Sequence, residues 1–462
     1  MMLQRLDVLA RITGGKICSG SPALSVSGLF TDTRTPVRGG LFLALRGDRF
    51  DGNLFAREAI ESLGAGAVLL DCPGAVSTIP PGAGAILVSD SRDAYLAIAS
   101  AHRDRLKSPR WFGITGSVGK STTKEMLSHI LDCLNWKAHK AKGSFNNAVG
   151  LSHTILDAKP EHLAVVLELG TNHPGEIAQL AAVARPNIAV ITCAAESHLE
   201  HFQSVENVAR EKSEILSFQK KGDVAVINAD DPHLEIWRAK AKQKIVTFGT
   251  GEQALVRAKH ISVRADGCAR FMVRCGDAIA ECALQVAGIH QVHNALAAIS
   301  AAMAAGIRLA DAVHAMCSFE GVTRRFSVSS RDGITIIDDT YNANPASFRA
   351  ALRSLETMKA DRKFVIAGDM LELGSGADEY HRRLGEQVVA CGASALFTVG
   401  EQARISGEVS QCHGLAWQHC NTPEHAAELL KPLLRPGDTV LVKGSHGVHL
   451  EKCLQHLRVD VA

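Results

Sequence analysis

The chain has 462 residues, Lys+Arg 50 against Asp+Glu 48 and a net charge of +2, so it carries no basic excess of the kind that nucleic acid recruits. That length exceeds a usual single core, and two or three domains are expected. Its twelve cysteines are scattered without a C-x-x-C pair, and Cys412, His413, His419 and Cys420 match no common metal spacing, which points to a reducing, cytoplasmic setting rather than a disulfide or zinc framework.

In chain order, "MMLQRLDVLARITGG" carries Asp7 and lacks an unbroken apolar stretch, so it does not read as a signal peptide. Residues 1–108 hold short strands and turns, including "LFTDTRTPVRGGLFLALRGDRFDG". A helical "NLFAREAIESLGAGA" and the strand "AVLLD" follow, and the polar "RDRLKSPR" reads as a linker.

A second segment, 109–321, opens on "WFGITGSVGKSTTKEM". Apolar Trp111, Phe112 and Ile114 predict the end of a buried strand. Met126, Leu127, Ile130, Leu131 and Leu134 recur at helical spacing. Between them, G-x-x-x-x-G-K-[ST] is complete through Gly119, Lys120 and Ser121, in the strand–turn–helix setting that a P-loop needs. The backbone N–H groups of Gly116, Ser117, Val118 and Gly119 and the helix start at Thr122 would cradle phosphate, with Lys120 at the β/γ-phosphates and the Ser121 hydroxyl facing Mg²⁺. The short branched runs "HLAVVLELG", "IAVIT", "DVAVIN" and "KIVTFG" then alternate with helical stretches, which implies a mostly parallel sheet. A β-prone stretch spans Val256 to Val286. The Ala-rich "ALAAISAAMAAGI" is too short to span a bilayer and reads as a buried helix.

Three side chains in this segment have two readings each. Glu168, at a strand tip, is a natural Mg²⁺ ligand or a capping acid. His198 follows the next strand, where a lone histidine is usually structural. Lys212 lies among Arg210, Glu211 and Glu214, where a solvated charged face is the default.

The last segment, 322–462, carries a new α/β series, "ITIIDD", "KFVIAGD", "ALFTVG" and "TVLVKGS", which predicts a second parallel sheet of four strands. Ligands bind beyond the carboxyl ends of such strands, where "DDTYNANP", "GDMLELG" and "KGSHG" sit.

Taken in order, "GSVGKSTTKEM", "GSFNNAVGLSHTIL", "ELGTNHPGEIAQL", "SHLEHFQSVENVAREKSEIL", "NADDP", "HQVHNALAA", "DDTYNANPASFRAAL", "GDMLELG" and "LVKGS" resemble the Mur ligase family over nearly the whole chain. The resemblance implies three α/β domains: a small nucleotide-sugar domain (1–108), a P-loop ATPase domain (109–321) and a Rossmann-like domain (322–462). It implies ATP, two Mg²⁺ ions and an ATP-driven amide ligase of peptidoglycan precursor synthesis, monomeric and free of nucleic acid and membrane. "DDTYNANP" with "GDMLELG" points to the branch that joins D-Ala-D-Ala to UDP-N-acetylmuramoyl-tripeptide. By resemblance, Ser121, Glu168 and His198 take part in metal binding, and Lys212 matches a lysine carried as a carbamate. Asn294 and Asn344 match adenine-side positions, Asp339 the ribose contact, and Arg325 or its neighbour Arg324 the γ-phosphate contact. Thr33, Arg34, Arg49 and Asp51 fall in the uridine-nucleotide region, and Asn146 and Asn147 in a polar loop beside the phosphates.

Some positions depart from the family pattern. Ser121 stands for the more usual Thr, Glu196-Ser197 for a small apolar residue or proline before His198, and His446 and His449 where arginine or other residues are frequent. Another amide ligase of the superfamily, a folylpolyglutamate synthase, would not account for "DDTYNANP". A GTPase would want N-K-x-D, and "NADD" at Asn228 lacks the lysine.

Overall fold

A computed structural model describes residues 4–47 and 50–457. Arg49, one of the expected uridine-side residues, lies outside the described residues. Contacts divide the chain into two compact units. The first comprises 1–111, 139–169 and 182–185; the second comprises 112–138, 170–181 and 186–462.

The first unit holds a five-stranded sheet in the order Lys16–Ser19, Gly84–Leu87, Ala67–Leu70, Leu41–Leu43, Leu29–Phe30. Only the pairing of the first two strands is antiparallel. The central "AVLL" strand is wholly buried because it is covered on both faces, the pattern of a parallel sheet. Phe30, Phe42, Ala56, Val68 and Leu70 form its core. The stretch "RDRLKSPR" is only in part a connector: the helix Ser91–Arg105 takes its first three residues, and Arg103 donates to the carbonyls of Ala184 and Arg185 at 2.8 and 2.6 Å.

In the second unit a parallel run, Val256–Val263, Lys244–Gly249, Val224–Asn228, Ile188–Ile191 and Arg110–Thr115, is extended beyond Val256–Val263 by Cys268–Cys275 and Ala278–Ala287, whose pairings are antiparallel. The Ala-rich segment is the helix Gln291–Ala304, buried along most of its length, since alanine lets neighbouring backbones approach closely. Its packing partner is the helix Lys120–Cys133. Further along the chain a six-stranded sheet runs Ser327–Arg331, Ile334–Asp339, Asp438–Lys443, Arg362–Gly368, Ala395–Val399, Ala416–Cys420, antiparallel only at its first pairing.

The four expected C-terminal strands are present, and two edge strands join them. Ser327–Arg331 and Ala416–Cys420 are polar and partly exposed, so neither shows the apolar run that marks a buried strand.

Candidate active site

The P-loop forms between the buried strand Arg110–Thr115 and the helix Lys120–Cys133. Gly116 and Gly119 have φ of +146° and +84°, and a Cβ on Gly119 would collide with the Asn294 carboxamide oxygen. Only glycine lets the loop turn this tightly under that side chain. Asn294 is held in place by its own donation to Gln291 Oε1 at 2.8 Å. Lys120 Nζ folds over the loop and donates to the carbonyls of Gly116 and Ser117 at 2.6 and 3.3 Å. This leaves an ammonium at the mouth of the loop.

Arg325 reaches the same place from beyond the Ala-rich helix. Its guanidinium stacks 3.8 Å over the Tyr341 ring and donates to Ser121 Oγ at 2.8 Å. Arg324 turns elsewhere, to Thr340 and to Glu451 at 2.9 Å. Of the two adjacent arginines, the structure brings only Arg325 to the P-loop. Thr122, Gln291, Arg325 and Phe326 border a cavity of about 280 Å³ that continues to Cys268, Val286 and Phe319, and residues 116–121 of the P-loop are not among its lining.

Two expected nucleotide-side residues have local tasks as well. Asp339 accepts from Lys443 Nζ at 2.7 Å and from the Phe326 N–H at 3.1 Å. Asn344 caps the helix Pro345–Thr357, accepting from Ser347 N at 2.8 Å in a capping box.

The segment after the strand Ile188–Ile191 lies against the P-loop. Thr192 Oγ1 donates to Val118 O at 2.6 Å, Ser117 N to Cys193 O at 2.9 Å, and Ala195 N to Ser117 Oγ at 2.9 Å. His198 ends this segment with φ +52°, an uncommon conformation for a non-glycine residue, and its Nδ1 is bonded to the Glu372 carboxylate.

Lys212 is not on a solvated face. It is 2% exposed, on the buried side of the helix Val205–Ser213 beside Val208 and Ala209. Burial first, then the Lys120 charge, push its ammonium down to about 7, against the smaller opposing pull of Glu211. The Glu211 carboxylate itself accepts from the N–H groups of Gly175 and Ile177 at 2.9 and 2.8 Å.

In the first unit, Glu168 ends its strand almost fully buried, and Asn146 Nδ2 donates to its Oε1 at 3.0 Å. Asn147 caps the helix Ala148–Asp157 by accepting from Gly150 N at 2.9 Å. Arg34 and Thr33 lie in an exposed turn where Asp32 accepts from Arg34, and that arginine holds the Asp32 carboxyl down to about 2. Asp51 accepts from both nitrogens of Asn53, and Asn53 in turn donates to Asp71 at 2.7 Å. Phe50, Leu54 and Phe55 stand exposed around that polar cluster.

Among the described residues, no group of three or more His, Cys, Asp or Glu side chains gathers to hold a metal ion, at Cys412–Cys420 or elsewhere. Of the expected metal-side residues, the Ser121 hydroxyl and the Glu168 carboxylate carry the oxygen donors that a hard ion such as Mg²⁺ prefers, and the His198 imidazole is the donor least suited to it.

The Mur ligase middle domain matches residues 114–302, and the Mur ligase glutamate-ligase domain matches residues 324–446. The UDP-N-acetylmuramoyl-tripeptide–D-alanyl-D-alanine ligase of Bacillus subtilis is 33% identical to this chain, over 94% of it and 93% of the relative. The chain belongs to the Mur ligase family. A crystal structure of MurF from Acinetobacter baumannii superposes with a TM-score of 0.90 at 29% identity, covering 99% of both chains. MurF ligase from Thermotoga maritima, solved with ADP, superposes at 0.83 with 28% identity, covering 93% of this chain and 96% of that one.

Two contacts of this Mur ligase went unread in the sequence. Glu372 lies inside "GDMLELG", a quoted motif in which no single residue stood out. Arg349, in "ASFRAAL", forms a bidentate pair with Glu196 at 3.1 and 2.8 Å. The unusual Glu196 was the available signal; its partner, 153 residues away, was not.

Proposed function

We infer that this chain is an ATP-dependent amide ligase that joins D-Ala-D-Ala to UDP-N-acetylmuramoyl-tripeptide, releasing ADP and phosphate, in peptidoglycan precursor synthesis. The observation that carries this reading is the end-to-end likeness to the D-alanyl-D-alanine ligases, which includes the small first domain as well as the P-loop. Incubating the protein with ATP, Mg²⁺, UDP-N-acetylmuramoyl-tripeptide and D-Ala-D-Ala should yield the UDP-muramoyl-pentapeptide by mass spectrometry. Recovery of only the unextended tripeptide would contradict it.

The chemistry follows from what a carboxylate cannot do. Its oxygen does not leave at neutral pH, so an oxygen of the tripeptide's terminal carboxylate attacks the γ-phosphorus of ATP and ADP departs. The resulting acyl phosphate has phosphate as its leaving group. The dipeptide's free amine then attacks the carbonyl carbon, loses its proton, and the C–O bond to phosphate breaks. Lys120 places a positive charge at the β/γ-phosphates, and the loop N–H groups fix them in line. Arg325 is aimed at the same oxygens, since it already reaches Ser121. Ser121, Glu168 and His198 are the residues to hold Mg²⁺, which supplies charge neutralisation when bound.

Lys212 suits a carbamate. An amine with its pKa near 7, buried and with no hydrogen bond or ion pair to another described residue, is largely neutral at physiological pH and open to CO₂. The N–C bond forms, one proton leaves, and a cation becomes a carboxylate-like oxygen donor. The sign of the pH dependence follows: below about 7 the amine is protonated and cannot add CO₂. Activation by bicarbonate in CO₂-stripped buffer should therefore be strong at pH 8 and weak at pH 6. Equal activation at both would count against a carbamate.

The remaining assignments follow the same plan. Residues 1–108 hold the uridine nucleotide, 109–321 ATP, and 322–462 close over it, with Asn294, Asn344 and Asp339 on the nucleoside. The chain works as a cytoplasmic monomer. No helix among the described residues is long and apolar enough to cross a membrane. Arg34→Ala should raise the KM for the UDP-peptide about tenfold, the order of one lost charge-assisted hydrogen bond, and leave the KM for ATP within about twofold. An unchanged KM for the UDP-peptide would remove Arg34 from the acceptor site.

A further inference from the structure

The stretch 192–200 is tied at both ends. Thr192, Cys193 and Ala195 bond to Val118 and Ser117 of the P-loop, and Ser197 Oγ donates to Ser117 Oγ at 3.0 Å. From behind, Asn228 Nδ2 donates to Thr192 O at 2.9 Å and buried Asp231 accepts from Ala194 N at 2.8 Å. The other end faces the last α/β domain. The Glu196 carboxylate takes both guanidinium arms of Arg349, His198 pairs with Glu372, and Glu200 N donates to Glu372 O at 3.4 Å. His198 and Glu372 both sit at positive φ, +52° and +62°. Conformations this uncommon persist where the surroundings over-determine them.

Arg349 stands in the first turns of the helix Pro345–Thr357, the helix capped by Asn344. A single ion pair thus links the strap on the P-loop to the helix whose start lies on the expected nucleotide side. Fork-to-carboxylate geometry fixes orientation as well as distance, which a lysine in place of Arg349 would not do. Glu196 is also one of the positions, with Ser121, Ser197, His446 and His449, at which the sequence departs from the resemblance described above.

We propose that Glu196 and Arg349 are positioning residues: their ion pair sets the 192–200 strap against the last domain, and so fixes His198 and the P-loop relative to Arg325 for phosphoryl transfer. The proposal takes ATP at the P-loop from the functional reading above, but the strap's order is readable without nucleotide. Neither residue touches substrate in this account. Their effect therefore falls on kcat, because a misplacement of about 1 Å costs up to about 10²-fold. The KM for the UDP-peptide depends on the first domain's residues and stays put.

The test is a charge swap in the full chain: Glu196→Arg, Arg349→Glu, and the two together. Phosphate release and amide hydrogen exchange of residues 192–202 are measured for each. Each single variant should lower kcat about tenfold, keep the KM for the UDP-peptide within about twofold, and speed exchange of the strap. The double variant should return kcat to within about threefold of the parent and restore the slow exchange. Single variants with parental kcat and exchange would overturn the proposal, and so would a double variant no better than either single. If a charge reversal unfolds the protein, the nearly isosteric Glu196→Gln reports instead. It should show the same faster strap exchange with an unchanged melting temperature, and parental exchange would again overturn the proposal. A wrong functional reading would abolish turnover in every protein, the parent included, while leaving the exchange pattern as described.

Discussion

Lys120→Ala should lower kcat by at least about 10³-fold while the protein melts within a few degrees of the parent. The structure separates the two effects. Lys120 Nζ donates to the Gly116 and Ser117 carbonyls, at a partly exposed site where water can take over those acceptors. The loss to the fold of those two neutral-acceptor bonds is about 1–3 kcal/mol. The loss to catalysis is a fixed positive charge where the γ-phosphoryl group transfers, which Arg325, a second charge already held by Tyr341 and Ser121, does not make up. Lys120→Arg should not rescue, since a planar fork does not fit a loop shaped for a point charge. Initial-rate assays paired with a thermal melt check this. A variant that turns over within tenfold of the parent with unchanged melting would remove Lys120 from the reaction.

Lys212→Ala should be nearly inactive, down about 10²-fold or more, with its fold intact. The buried ammonium is costly to the native state: burial is the first cause of its lowered pKa, so alanine removes a desolvated charge even as it leaves a cavity. The activity lost is that of an oxygen donor, not of a cation. A short carboxylic acid added to the assay should therefore restore part of the rate in Lys212→Ala, and bicarbonate should restore none. Rescue by a small amine in place of a small acid would show that the charge acts as a cation. Full activity of Lys212→Ala would end the assignment.

The parts legible in the sequence were those with a local period or a fixed spacing. The P-loop, its strand and its helix depend on residues 111–134 alone, and the four buried strands of the last domain announced themselves as apolar runs. The two edge strands did not, because half-exposed "SVSSR" and "AWQHC" carry no such run. Lys212 shows the same limit on a helix. A charged residue on the buried side cannot be told from one on the wet side when Arg210, Glu211 and Glu214 surround it, and only the resemblance singled it out. Adjacent Arg324 and Arg325 could not be separated by pattern either; the backbone turns their side chains to Glu451 and to Ser121. Least legible was the Glu196–Arg349 pair, which depends on the closing of two strands of chain far apart in sequence.

Phosphate release measured with ATP, UDP-N-acetylmuramoyl-tripeptide and D-Ala-D-Ala, omitting each in turn, tests the ligase most directly. Turnover should require all three, with one phosphate released for each pentapeptide formed, and should collapse to background when any one is absent. Sustained phosphate release from ATP alone at the full rate, with no pentapeptide formed, would contradict it.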